Sequence, residues 1–126
     1  MILADGTDTE KVIDSLKKRG YTYLGSGRNR DTYLSNNKKW VVKVPRNEAG
    51  YFNNFSESDV YCSRGFYYIN PARCKLLGSL LVMEYVEPIN VFKMKDYPRW
   101  ADCVDGGQVG LSRSGKIVAY DFAIGD

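Results

Sequence analysis

From Tyr21 to Val44 the chain sets out one pattern three times: a short run of aromatic and β-branched residues, closed by a tight polar turn. Tyr21-Thr22-Tyr23-Leu24 runs into Gly25-Ser26-Gly27-Arg28-Asn29-Arg30. Asp31-Thr32-Tyr33-Leu34 runs into Ser35-Asn36-Asn37-Lys38-Lys39, and Trp40-Val41-Val42-Lys43-Val44 stops at Pro45. This predicts strands at about 21–25, 31–35 and 39–44, joined as hairpins in an antiparallel sheet. Lys43 is the odd residue in an apolar run. Strand side chains alternate, so it faces away from Val42 and Val44. It points either to solvent or into a cleft, and solvent is the expectation for a lysine taken alone.

The flanking segments complete the pattern. Thr7, Asp8 or Thr9 can cap a helix over about 9–19, with Glu10 in its first turn and Lys17, Lys18 and Arg19 in its last before Gly20. Val12, Ile13 and Leu16 share one face. A second helix is expected over about 53–64, with Phe52, Phe55, Val60 and Tyr61 as spaced apolar points. Gly65, Asn70 and Pro71 mark turns. Cys74–Leu77 and Leu80–Val86 read as strands around Gly78-Ser79. Residues 87–107 look irregular, and Val109–Leu111 with Lys116–Phe122 read as a hairpin. The expected architecture is α+β: one domain over 1–126, a short antiparallel sheet with helices on one side.

Composition removes several chemistries. The 126 residues contain no histidine, which excludes histidine acid–base catalysis, histidine-based triads and histidine metal sites. A metal would have to sit on carboxylates, amides and phosphates, which favours Mg²⁺. Cys62, Cys74 and Cys103 are widely spaced, so neither a zinc site nor a disulfide framework is expected, and a reducing cytoplasm is the simplest setting. The first ten residues are too polar for a signal peptide, and the apolar stretch from Leu76 to Val86 is too short for a bilayer. A net charge of +3 admits an anionic ligand but is unlike a dedicated nucleic-acid face.

Certain residues then carry chemistry by position. Gly25-Ser26-Gly27 begins a Gly-x-Gly-x-x-Gly loop whose last position is Arg30. Two glycines let backbone amides face a phosphate, and Arg28 and Arg30 add charge, although the same letters fit an ordinary turn. Glu57, on the helix after the lysine strand, is the natural partner for Lys43. Glu48 competes but is expected to precede the helix. Leu80–Val86 runs into Glu87-Pro88, and near the end Gln108 precedes Val118-Ala119-Tyr120-Asp121-Phe122-Ala123.

In this order the motifs resemble the protein-kinase-like superfamily, including small phage-type Ser/Thr kinases, over about residues 20–87 and 108–123. The resemblance implies an upper-lobe-like sheet that binds ATP and Mg²⁺. Gly25, Ser26, Gly27 and Arg30 would meet phosphates, and Lys43 the α and β phosphates, with Glu57 orienting it. Met83 would back the adenine, with the backbone of Glu84 and Val86 at its edge. Asp121, in the place of an Asp-Phe-Gly aspartate, and Gln108 would hold the metal, and Asp102 would orient an acceptor hydroxyl. The departures are Arg30 for glycine, Ala123 for glycine, Gln108 for asparagine and Cys103 where a catalytic aspartate belongs. Three residues follow Ala123, so a reduced catalytic middle without activation segment or helical lobe is expected.

Three functions stay open. One is a minimal phosphotransferase acting on a protein hydroxyl. Another is a catalytically inactive, pseudokinase-like protein that regulates or inhibits a host macromolecule, using Tyr51, Phe52, Tyr61, Phe66, Tyr67 and Tyr68 as contact surface. This would suit a phage-encoded protein in a host cytoplasm. The third, aromatic-on-sheet nucleic-acid binding through Tyr21, Tyr23 and Tyr33, is the least supported. The oligomeric state is open, and a dimer would be one way to supply a lower lobe.

Overall fold

The computed structural model describes residues 1–63, 69–104 and 107–122. Gly65, Phe66, Tyr67, Tyr68 and Ala123, all named above, lie outside the described residues. The element order is α1 (Thr9–Lys18), β1 (Thr22–Ser26), β2 (Arg30–Leu34), β3 (Trp40–Pro45), α2 (Glu48–Cys62), β4 (Cys74–Leu77) and β5 (Leu80–Glu84). Then come β6 (Glu87–Pro88), short 3₁₀ turns at Val91–Lys93 and Arg99–Cys103, β7 (Val109–Leu111) and β8 (Ile117–Ala119). The first five strands form one antiparallel sheet in the order β1-β2-β3-β5-β4, and the last three a smaller one. The architecture is α+β: five antiparallel strands with a helix entering between the third and fourth in sequence.

Of three candidate caps for α1, Asp8 is the one used; its carboxylate accepts the N–H groups of Glu10 and Lys11. Val12, Ile13 and Leu16 pack on Tyr33, Val42 and Val44. On the opposite face of the sheet, Val60 of α2 joins Val41, Leu81 and Met83. The helices therefore cover both faces, not one as expected. The reason is in β3, whose valines at 41, 42 and 44 alternate sides, so each face has apolar surface to bury.

Helix α2 begins at Glu48, against an expected start near 53, because the Asn47 side chain caps it by accepting the Gly50 N–H at 2.9 Å. A Cβ on Gly50 would lie 2.2 Å from the Asn29 carbonyl oxygen and 3.0 Å from the Pro45 Cα. Glycine is what lets the first turns of α2 lie directly against the β1–β2 turn. Strand β5 ends at Glu84, two residues short of its expected end, and the chain crosses into the smaller sheet as β6, within the segment expected to be irregular. Gly110 permits that crossing, since a Cβ there would meet the Glu87 carbonyl oxygen at 2.2 Å.

Segment 70–72 ties the two sheets together. Ala72 N–H donates to the Ala119 carbonyl and Ala119 N–H to the Asn70 carbonyl, both at 2.8 Å. Val86, Val91, Val104, Val109, Val118 and Phe122 join the same core as Leu81 and Met83. Among the described residues no helix is long and apolar enough to cross a membrane.

Candidate nucleotide cleft

The centre of the molecule is a buried knot of charges. Lys43, from β3, is 6% exposed, and its Nζ lies 2.8 Å from Glu57 Oε1 and donates to the Tyr120 carbonyl at 2.7 Å. The solvated placement expected for an isolated lysine is thus overturned. Position 43 shares a sheet face with Val41, and α2 brings a carboxylate to that face. Glu57 is fully buried and uses both oxygens, with Oε2 accepting the Phe122 N–H at 2.8 Å. Glu48, the competing partner, instead accepts the Ala4 N–H at 2.7 Å.

Burial alone would raise the Glu57 carboxyl. The charge of Lys43, then that of Arg30, together with hydrogen bonds from both, outweighs burial and holds it below its ordinary value. Cys74, close by, responds in the opposite sense. Burial and the Glu57 charge push its thiol up to about 12, so it is a neutral packing group whose Sγ lies 3.7 Å from the Glu57 carbonyl.

Arg30 enters this knot from the far side. Its Nη1 donates to Glu57 Oε1 and, at 3.2 Å, to Asn54 Oδ1; its Nη2 donates to Asp121 Oδ1 at 3.2 Å. The guanidinium is a cation fixed between α2 and residues 120–122 rather than carried on an open loop, and it also lines the cleft beside the knot. Arginine suits the place because its planar fork serves several acceptors at once. Asp121 is held from both sides as well, since the neighbouring Tyr120 carbonyl binds Lys43 and the Phe122 N–H binds Glu57.

Asn54 was missed by sequence reasoning. It is fully buried, and its amide nitrogen donates to the backbone carbonyls of Lys43, at 3.0 Å, and Ser79, at 2.8 Å. Asn53 Oδ1 accepts from Asn29 at 3.1 Å. The available signal was spacing, because residues 54 and 57 fall on one helical face.

Beside the knot opens a cleft of about 600 Å³, within the usual size of small-molecule sites. The β1–β2 turn contributes Gly25, Ser26, Gly27, Arg28 and Arg30; β3 contributes Val41 and Lys43; β5 and the chain beyond it contribute Met83, Glu84 and Val86; Gln108 and Asp121 close it. Nearly all the residues singled out from sequence are brought together here. Val41 pairs with Met83 in the sheet, which sets an apolar patch two residues, or about 7 Å, along the strand from Lys43. The turn is closed by Gly27 N–H donating to the Arg30 carbonyl at 2.9 Å. Ser26 Oγ is engaged by Asp31 and by the Tyr23 hydroxyl.

Two expected contacts change. Glu84 N–H donates to the Arg73 carbonyl at 2.9 Å, and its carboxylate accepts the Arg73 N–H at 2.7 Å, which takes that amide out of any base-edge contact. Val86 keeps its own: among the described residues nothing is hydrogen bonded to its N–H or carbonyl. Asp102 is exposed, accepts the Tyr97 hydroxyl at 2.9 Å and does not line the cleft. The 3₁₀ turn at Arg99–Cys103 carries it toward Tyr97 instead.

The residues expected to hold Mg²⁺ were Gln108 and Asp121. Gln108 and Asp121 both line the cleft, but Arg30 already supplies the positive charge at Asp121 Oδ1. No group of three or more acidic or cysteine ligands able to hold a metal occurs among the described residues. A dication at Asp121 would sit against a fixed guanidinium, so these residues do not fit one. Of the three tyrosines considered for nucleic acid, Tyr33 is 4% exposed beneath α1 with Tyr21 packed beside it, and Tyr23 alone of the three is well exposed, at 52%.

No family model matches the sequence and no curated relative does. Two solved aminoglycoside phosphotransferases are similar in outline. One is APH(2'')-IIa in a ternary complex with streptomycin and ATP, with a TM-score of 0.49 at 19% identity, covering 78% of this chain and 36% of that one. The other is APH(2'')-Ib bound to ADP, with a TM-score of 0.49 at 20% identity and the same coverage. The chain spans about a third of the length of those proteins.

Proposed function

We propose that the chain binds an adenine nucleotide in this cleft. The observation that carries the reading is the Lys43–Glu57 pair: a buried lysine, held at 2.8 Å by a buried carboxylate, on the wall of an open cavity. Such a lysine is fixed at both ends of its reach and presents its remaining N–H to an anion. The glycine turn allows close backbone approach and brings Arg28 to the cleft, Val41 and Met83 offer a flat apolar wall, and the Val86 N–H offers a donor at its edge. Polyanion and planar base would meet separate, suitable surfaces.

Binding is the reading these distances favour over transfer to a protein hydroxyl. The acidic residues lining the cleft among those described are Glu84 and Asp121, and each is paired with an arginine, Arg73 and Arg30 respectively. Neither is placed as a free base for an incoming hydroxyl, and Asp102 lies elsewhere. The pseudokinase-like alternative is accordingly the nearer one.

Calorimetric titration of ATP into the purified chain tests this. Saturable binding is expected, weakened about tenfold or more by Lys43→Met, since a charge-assisted hydrogen bond to phosphate is lost. Gly25→Val is the cleaner variant. Nothing lies within 4 Å of a Cβ at Gly25, so the fold should be indifferent while close approach of phosphate is blocked. No binding at millimolar ATP, or binding indifferent to both variants, would sink the proposal.

A further inference from the structure

We infer that the cleft takes its nucleotide as the free anion, without a divalent cation, and that Arg30 is the built-in counter-charge that makes this so. The inference rests on the nucleotide reading above and concerns how that ligand is held. At the cleft wall Arg30 is ion paired with Asp121, and behind the wall Arg30 and Lys43 are both paired with the buried Glu57. Arg30 thus already brings to Asp121 the positive charge that a dication between Asp121 and the phosphates would supply.

The guanidinium is not a mobile surface group that could swing aside. Its side chain is 7% exposed, its Nη1 is held by Glu57 and Asn54 and its Nη2 by Asp121. Asn54 is itself fixed by the carbonyls of Lys43 and Ser79. A metal ion reaching Asp121 would have to approach this fixed cation or displace it from the carboxylate, and both oppose binding. The phosphate end meets cations on every side instead: Lys43 and Arg30 on the wall and Arg28 on the turn.

The test is ATP titration into the full chain in excess EDTA and in millimolar Mg²⁺, alongside Arg30→Met and Asp121→Asn. For the native chain the affinity in EDTA should equal or exceed that in Mg²⁺. Arg30→Met should make binding about tenfold or more Mg²⁺-dependent. It should also create a Mn²⁺ site in the presence of ATP, read by paramagnetic broadening of the free Mn²⁺ signal. Asp121→Asn should alter affinity to the same extent in EDTA and in Mg²⁺, because no metal is held there. Native binding that requires Mg²⁺, or an Asp121→Asn loss seen only with Mg²⁺, overturns this inference and leaves the nucleotide reading standing. Absence of binding in both conditions overturns both.

Discussion

The two helices of this protein follow opposite rules. Helix α1 buries apolar side chains, Leu16 with Val12 and Ile13 beside it, and shows solvent its charges. Helix α2 buries Asn53, Asn54 and Glu57 and exposes Phe52 and Phe55, at 64% and 54%. The first is held by solvent exclusion, which needs no particular partner. The second is held by directed contacts with Lys43 and Arg30, residues from two strands that must arrive in register. A helix can therefore be fixed by what the sheet offers it rather than by its own amphipathicity, and one that presents polar groups inward is placing them at a site.

The largest effect should come from removing the centre of that polar face. Glu57→Ala strands Lys43 and Arg30 in the interior and should lower unfolding free energy by about 3–5 kcal/mol in urea titrations. Leu16→Ala on α1 should cost about 2–4 kcal/mol, because its site lies near the surface and can relax. Replacing Arg30, Lys43 and Glu57 together by methionine should destabilise far less than Glu57→Ala alone. A triple variant as unstable as the single one would mean that α2 is held by something other than this charge balance. Acid provides a reversible form of the experiment. The folded Glu57 carboxyl lies below its ordinary 4.5. Its contribution is therefore complete above that value and is lost as pH falls toward the folded one. Stability of the native chain should decline below about pH 5 more steeply than that of Glu57→Gln.

Next in size is Gly50→Ala. With the Asn29 carbonyl 2.2 Å from the new Cβ, α2 must shift from the glycine turn, at about 1–3 kcal/mol of stability and with weakened nucleotide binding. The corresponding change on α1, Asp8→Ala, removes only a cap and should cost about 1 kcal/mol by thermal melt, with the cleft untouched. The smallest effect belongs to the exposed aromatics. Phe52→Gln with Phe55→Gln should change stability by no more than about 0.5 kcal/mol per site. A large loss there would show that the outer face of α2 is covered in the working protein.

Much of the fold was legible because its signals are local. The hairpins at 21–44, the polarity and cap of α1, and the Gly78-Ser79 turn each depend on a handful of adjacent residues. The start of α2 was not legible, because a helix whose inner face is Asn53, Asn54 and Glu57 gives no apolar periodicity to follow. The burial of Arg30 was not legible for a related reason. At the last glycine position of a loop motif an arginine looks like an exposed phosphate ligand, and only the approach of α2 and residues 120–122 turns it inward. Asp102 failed on register, since chain spacing alone does not say where a 3₁₀ turn will aim a side chain.

By itself the sequence determined the element types, the antiparallel pairing of the first three strands and the set of residues able to carry charge or approach phosphate. These follow from steric and hydrophobic preferences that act within about one turn or one hairpin. Tertiary structure alone decided which charges pair. Lys43, Glu57, Arg30 and Asp121 are spread from residue 30 to 121, and an ion pair depends on distance and desolvation, quantities that exist only once the chain has closed on itself.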